Sequence, residues 1–127
     1  MNNTPYLLRS TSELPDDPAW LHQQACPVIA VGEGDAINAD LVVASAADAE
    51  SIIKNIEAFP IAAMAYVQVL RCVDQLPMQS AMTVESLAYA TLQGGAEFRA
   101  WLQARPEPPR LIGGGDGPAV LAERDGN

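Results

Sequence analysis

The chain has 127 residues, of which 49% are hydrophobic, and this suits one compact domain. Acidic residues outnumber basic ones by 16 to 7, and the formal net charge is −9. A field of that sign repels polyphosphates, so the composition argues against a nucleic-acid partner. It also opposes a polyanionic cofactor, and we expect none.

The N-terminus, MNNTPYLLRS, lacks a basic region followed by an apolar run, which argues against a secretory signal. The longest apolar stretch, 61–70, is interrupted by Gln68 and is too short to cross a bilayer. Cys26 and Cys72 form no disulfide framework, and without a signal we expect reduced, buried thiols. These features predict a soluble cytoplasmic protein without a membrane partner.

The first part of the chain predicts little regular structure. Residues 1–25 are expected to be irregular, apart from a short helix over 17–24 that Asp16 or Asp17 would cap. The apolar run 27–31, closed by Gly32, predicts a buried strand, and 41–44 predicts a second. Two short strands are not stable alone, so this pair must pack on other elements.

From Ser45 onward the pattern predicts four helices. Ser45 and Asp48 form a capping-box pattern for the first, whose apolar stripe ends at Phe59. Pro60 separates it from a second helix over 61–73, which is apolar nearly all round and therefore predicts the centre of the core. The third runs from Pro77 to Leu92 and the fourth over 96–104. The fold class is thus α+β and mostly helical, with four helices after a short strand pair.

The composition changes at Arg105. Residues 106–118 include four prolines and four glycines, which predicts a linker. Residues 119–124 are strand-like, and Asp125-Gly126 is typical of a hairpin turn. A strand without a returning partner leaves its backbone groups unpaired, so we expect a chain cut from a longer reading frame. The predicted organisation is a helical domain over 1–105, a linker over 106–117 and the first strand and turn of a truncated domain over 118–127.

Several segments carry a family resemblance. Residues 118–127 have the sequence PAVLAERDGN, residues 26–36 CPVIAVGEGDA and residues 55–63 NIEAFPIAA. Together with helical segments in 85–106, they resemble the enoyl-CoA hydratase/isomerase (crotonase) family. The similarity is to its opening strand and turn, its Pro-hydrophobic-Ile-Ala strand with the Gly-x-Ala turn, its I-A-x-x-P-x-A helix junction and its last helices. The resemblance implies a shortened copy of that fold ahead of an intact one.

Departures from the family pattern concern its chemistry. The Gly-rich oxyanion turn of the family, Gly-x-Ala-x-Gly-Gly-Gly, is replaced by residues 34–40, GDAINAD, whose side chains obstruct the close approach that glycine permits. The other oxyanion segment and the catalytic carboxylates have no counterpart, and Ala104 stands where the family has a lysine beside Arg105. The resemblance therefore implies a non-catalytic N-terminal part of a hydratase/isomerase, with acyl-CoA bound only by the parent protein. The alternative is a free-standing helical interaction module without enzymatic activity, and a third possibility, hydratase activity in this chain, is expected to be absent.

Glu85 is the most notable titratable residue because it shares a helical stripe with Met78, Met82, Tyr89 and Leu92. A carboxylate on such a surface could act as a general acid or base. The structural interpretations are favoured over that role: an ion pair with Arg71 or Arg99, or simple exposure.

Three further groups are judged not to form sites, and we predict no catalytic, cofactor-binding or metal-binding residues. His22 and Cys26 are four residues apart, but two ligands make a poor zinc site. The glycines of 113–117 and of 32–34 lack the strand-then-helix context of a phosphate loop. Large apolar side chains are expected in the core, with an interface role left open: Met64, Met82, Phe98 and Trp101, of which the last two form the predicted buried stripe of the fourth helix with Leu102.

Overall fold

The structure, a computed structural model, describes residues 3–107. The greater part of the predicted linker and the predicted strand and turn over 118–127 lie outside these residues. The described chain is mixed α and β and mostly helical, as predicted. Three strands come first: β1 Leu7–Ser10, β2 Val28–Val31 and β3 Leu41–Val43. Four helices follow: α1 Ala46–Ala58, α2 Pro60–Val73, α3 Met78–Gln93 and α4 Ala96–Ala104.

The strands form a parallel sheet in the order β1-β2-β3, which corrects the predicted pair of strands to three. The register places Ile29 of β2 between Leu8 of β1 and Leu41 of β3. Sequence patterning missed β1 because LLRS is short, lacks β-branched residues and carries a charge at Arg9. The predicted helix over 17–24 is reduced to a 3-10 turn at Leu21–Gln23, and a second 3-10 turn follows β1 at Thr11–Glu13.

The core lies between β2 and α1 rather than around α2. Val28, Ile29 and Ala30 are almost completely buried, as expected for the central strand of a parallel sheet. Ala49 and Ile56 of α1 pack against Ile29, with Ile52 and Ile53 partly buried beside them, so the predicted apolar stripe of α1 is confirmed. In α2, by contrast, Val67 alone is fully buried. The prediction of α2 as the centre of the core was wrong, because an all-round apolar sequence does not say which neighbours cover it.

The ends of α1 agree with the sequence pattern. The Ser45 hydroxyl accepts a hydrogen bond from the Asp48 amide, and the Asp48 carboxylate accepts one from the Ser45 amide at 3.1 Å. This is the predicted capping box. Pro60 then begins α2 directly after the α1 C-cap, Phe59, and the two helix axes differ by 110°. The proline supplies the sharp corner because its ring cannot continue α1 but fits the first turn of a helix.

A buried ion pair holds α2 to the sheet. Arg71 of α2 and Asp40 lie 2.6 Å apart, with 6% and 9% of their side chains exposed. The Arg71 guanidinium also donates to the carbonyl oxygens of Gln24 and Cys26, and Asp40 accepts from the Val28 amide at 2.8 Å. Since the hydrogen-bonding groups satisfy both charges, this pair fixes where α2 crosses the chain segments that flank β2.

α3 and α4 form an outer layer in which no residue is fully buried. Glu97 of α4 attaches that layer to α2: its carboxylate oxygens accept hydrogen bonds from the amides of Ile61 and Ala62, both at 2.9 Å. Pro60 has no amide hydrogen and Ala63 donates to Phe59, so all four amide positions at the start of α2 are satisfied. Glu97, which lies in the first turn of α4 and suits its helix dipole, thus also caps a neighbouring helix.

Candidate functional site: an apolar groove along α3

Three adjoining depressions follow the outer face of α3. The largest, about 490 Å³, lies where α3 meets α4 and the α1–α2 corner. The second, about 420 Å³, is centred on α3, and the third, about 280 Å³, lies beside the end of α2. The first two share Tyr89, and the second and third share Met82 and Glu85. We call this continuous feature the α3 groove.

The groove exists because one stripe of α3 is apolar and is not covered by any described element. Met78, Met82, Glu85, Tyr89 and Leu92 recur at intervals of four and three, so they share one helical face. Met78, Met82 and Tyr89 are 75%, 62% and 65% exposed. Burial of such side chains is favourable by about 25 cal/mol per Å², so a stripe left open along a whole helix indicates a contact surface.

The predicted core residues in the outer layer are therefore mostly surface residues. Met82 is exposed in the groove, and Trp101 and Leu102 of α4 are 40% and 47% exposed, which contradicts the predicted buried stripe of α4. Met64 and Phe98 are partly buried. The interface role that the sequence left open is the one these positions favour, because α4 has no neighbour on that side within residues 3–107.

Glu85 lies exposed in the middle of the groove. Within the described residues it has no ion-pair partner, because Arg71 is bound to Asp40 and Arg99 forms no salt bridge. Of the two structural interpretations, simple exposure describes Glu85, and the alternative of an ion pair with Arg71 or Arg99 does not. α3 contains no other charged residue, so Glu85 is the single charge on an otherwise neutral helix.

The largest depression is apolar, and the one acid that lines it is already hydrogen-bonded. Both oxygens of Glu97 accept from the α2 amides, as described above. The Phe98 and Trp101 rings stack with centroids 5.7 Å apart, and the Arg105 guanidinium lies 4.5 Å from the Trp101 ring centroid. This arrangement holds the aromatic wall in place by stacking and cation–π attraction. The depression is therefore suited to binding an apolar surface, since its lining offers no unpaired acid or nucleophile.

The turn between β2 and β3 contains two glycines of unusual backbone conformation and two amides that donate within the chain. Gly32 and Gly34 both adopt positive φ, at 148° and 84°. After them, the Ala39 amide donates to the Ala36 carbonyl and the Asp40 amide donates to the Val28 carbonyl. These amides are therefore occupied within the chain. No helix follows the glycines directly, since α1 begins at Ala46.

Asn38 holds this turn to the N-terminal segment. Its side chain is 1% exposed, and its amide nitrogen donates to the carbonyl oxygens of Pro15 and Asp17. Its side-chain oxygen has no partner among the described residues. Sequence analysis treated Asn38 as an obstruction in the turn, whereas the structure shows a buried anchor joining segments more than twenty residues apart.

His22 and Cys26 do not form a site. The 3-10 turn that holds His22 ends at Gln23, so Cys26 does not follow it on a helix. Within residues 3–107, no group of three or more His, Cys, Asp or Glu side chains could hold a metal ion. Cys26 is partly buried and Cys72 is exposed, which corrects the prediction of two buried thiols. Burial raises the pKa of the Cys26 thiol above its ordinary value; the Arg71 charge opposes the rise and the Asp40 charge adds to it.

The glycines of 113–117 lie outside the described residues. Among those that are described, no single helix has the length and apolar character needed to cross a membrane; α1 and α2 pass that test together, but with the 110° bend between them. Comparison with protein-family models, with curated proteins and with solved structures returned no match to this chain.

Proposed function

We propose that this chain is the N-terminal, non-catalytic part of an enoyl-CoA hydratase/isomerase (crotonase) family protein, and that it packs against a protein partner through the α3 groove. The partner is the downstream catalytic domain or another copy of the protein. The acyl-CoA chemistry then belongs to the parent protein and not to residues 3–107.

The observation that carries the proposal is the uncovered stripe of α3, with Met78, Met82 and Tyr89 more than half exposed. An apolar face of this length favours contact with another protein surface. The sheet adds a second incomplete surface: among residues 3–107, β1 and β3 are its outer strands, and each pairs only with β2. Leu41 of β3 and the neighbouring Tyr66 and Leu70 of α2 are also exposed around a cleft of about 310 Å³.

The absence of hydratase chemistry is supported by the turn after β2. A thioester oxyanion needs amide hydrogens that point at the oxygen and are free to donate. The amides of Ala39 and Asp40 already donate within the chain, and the Ile37 side chain, 77% exposed, projects from the same turn. The family resemblance of residues 26–36 and 55–63 supplies the remaining support.

Two measurements test the proposal. Purified chain is assayed for hydration of crotonyl-CoA, and we expect no rate above background. Calorimetric titration of the chain against the separately expressed downstream region should give saturable binding that Met82→Asp weakens. A hydration rate of the purified chain above background would overturn the non-catalytic part of the proposal.

A second candidate, a free-standing interaction module, is favoured by the α3 groove itself, which requires no catalytic domain. The downstream reading frame separates the two. About 250 further residues with an Ala-x-Ser-Gly-Gly-Asp-like oxyanion segment support the family protein, by the usual size of such a domain. A frame without such a domain supports the module.

A further inference from the structure

We propose that the α3 groove receives an amphipathic helix of a partner protein, and that a lysine or arginine in the apolar face of that helix pairs with Glu85. The inference deepens the proposed function, on which it rests for the identity of the groove as the contact surface. It adds the secondary structure and the charge of the segment that binds.

The shape of the groove favours a helix. α3 has 16 residues, so its axis is about 24 Å long at 1.5 Å per residue. The exposed side chains follow it at intervals of four and three, which is the spacing of a helix that packs along another helix at a shallow angle. The depressions extend from Val73 beside the start of α3 to Trp101 beside its end. A partner helix of four to five turns therefore has matching length and periodicity.

The side chains of the groove suit such a partner. Methionine is flexible and polarisable, so Met78 and Met82 can adjust to an incoming apolar face. Tyr89 and Trp101 offer rigid aromatic surfaces at the other end, and aromatic residues contribute much of the binding energy in protein interfaces. In such a helix-in-groove arrangement, the bound helix makes its main contacts through apolar residues at positions i, i+3 or i+4, and i+7.

The charge of Glu85 selects the partner. A carboxylate in the middle of an apolar contact is costly to bury unless a cation pairs with it. No described residue of this chain supplies that cation. The chain as a whole has a formal net charge of −9, and the resulting electrostatic field further favours a basic segment over an acidic one.

The same charge argues against a second copy of the chain on this surface. A two-fold interface is isologous, so antiparallel pairing of two α3 helices sets Met78 against Leu92 and Met82 against Tyr89. The central position, Glu85, would then face its own copy. Two carboxylates at the centre of an apolar contact repel each other, so the stripe fits a cationic partner better than itself.

The test uses a matched pair of synthetic helices and the full chain. Each labelled 17-residue peptide carries leucine at positions 2, 6, 13 and 16 on an alanine and glutamine background. The first peptide has lysine at position 9, and the second has glutamate there. Fluorescence anisotropy measures binding to the wild-type chain and to Glu85→Lys, Glu85→Gln and Met82→Asp. Glu57→Lys, at an exposed position on α1 outside the groove, is the control, because it changes the net charge as Glu85→Lys does. Circular dichroism confirms that each variant is folded.

The wild-type chain should bind the lysine peptide about tenfold more tightly than the glutamate peptide, the ratio that a salt-bridge coupling of ordinary size produces. Glu85→Lys should reverse the preference, and Glu85→Gln should reduce it to about twofold or less. Met82→Asp should weaken the binding of both peptides by about tenfold or more, because it places a charge in the apolar contact. Glu57→Lys should leave the ratio within about twofold of the wild-type value, since a distant surface charge is screened.

Three results would overturn the inference: no saturable binding of either peptide, equal binding of both by the wild-type chain, or an equal change of the ratio in Glu57→Lys and Glu85→Lys. A dimer in sedimentation that Met82→Asp dissociates would instead assign the groove to a second copy. Failure of the inference remains distinct from failure of the proposed function. If the downstream region binds but Glu85 substitutions do not affect it, the helix proposal fails alone. If the peptides bind as expected and the downstream region does not, the family proposal fails.

Discussion

The Arg71–Asp40 pair offers the sharpest test of how the fold is held together. Replacing Arg71 with methionine keeps the apolar stem but leaves the Asp40 carboxylate buried without its cation. It also removes the donors to the carbonyl oxygens of Gln24 and Cys26. Removing one partner of a buried, hydrogen-bonded pair costs about 3–5 kcal/mol. A domain of this size has a total stability of about 5–15 kcal/mol, so Arg71→Met should bring the protein close to its unfolding threshold.

Urea denaturation followed by circular dichroism measures the loss. With a slope of about 1.5 kcal/mol per M, the midpoint should fall by about 2–3 M. Arg99→Met is the matched control, because Arg99 is exposed and has no salt bridge to any described residue; its midpoint should move by less than about 0.5 M. Combining Arg71→Met with Asp40→Asn should cost less than the sum of the two single changes, since the double variant contains no unpaired buried charge. Equal losses for Arg71→Met and Arg99→Met would refute the reasoning.

Three further predictions concern other parts of the fold. Glu97→Ala should destabilise the chain by about 1–2 kcal/mol in the same urea assay, because two amides at the start of α2 lose their acceptor, and Glu97→Gln should recover part of that loss. Ile56→Ala should lower the free energy of unfolding by about 2–5 kcal/mol and Ile61→Ala by much less, because 6% of Ile56 but 59% of Ile61 is exposed. Similar losses for the two variants would contradict the position of the core. Iodoacetamide at pH 8 should alkylate Cys26 more slowly than Cys72, as measured by peptide mass spectrometry, because burial raises the pKa of Cys26 and the thiolate is the reactive form. Faster labelling of Cys26 would contradict its described burial.

Local signals in the sequence predicted the helices well. The capping box at Ser45 and Asp48 and the proline at position 60 each act on one or two turns of chain. The helix boundaries consequently agree with the predicted ones to within about one residue. The short strand at Leu7–Ser10 was missed because what stabilises it is its pairing with β2, and that pairing has no trace in four residues of sequence.

In the candidate site, too, the sequence predicted the local spacing of residues but not their long-range contacts. Sequence periodicity placed Glu85 on one stripe with Met78, Met82 and Tyr89, and this spacing is correct. It did not say whether the stripe faces the core, another protein or solvent. Sequence analysis also missed the link between Arg71 and Asp40 and the link between Glu97 and the start of α2, since each joins residues more than thirty positions apart.

What the sequence determined by itself is the mostly helical α+β class, the bounds of the helices and the stripe that makes α3 amphipathic. These follow from interactions between residues a few positions apart, so the order of residues is enough to specify them. The tertiary structure alone decided that β2 and α1 form the core and that no other element within residues 3–107 covers the apolar stripe of α3. Burial depends on which elements meet in space. An apolar side chain is stabilised by any surface that excludes water, so periodicity cannot predict which surface covers it.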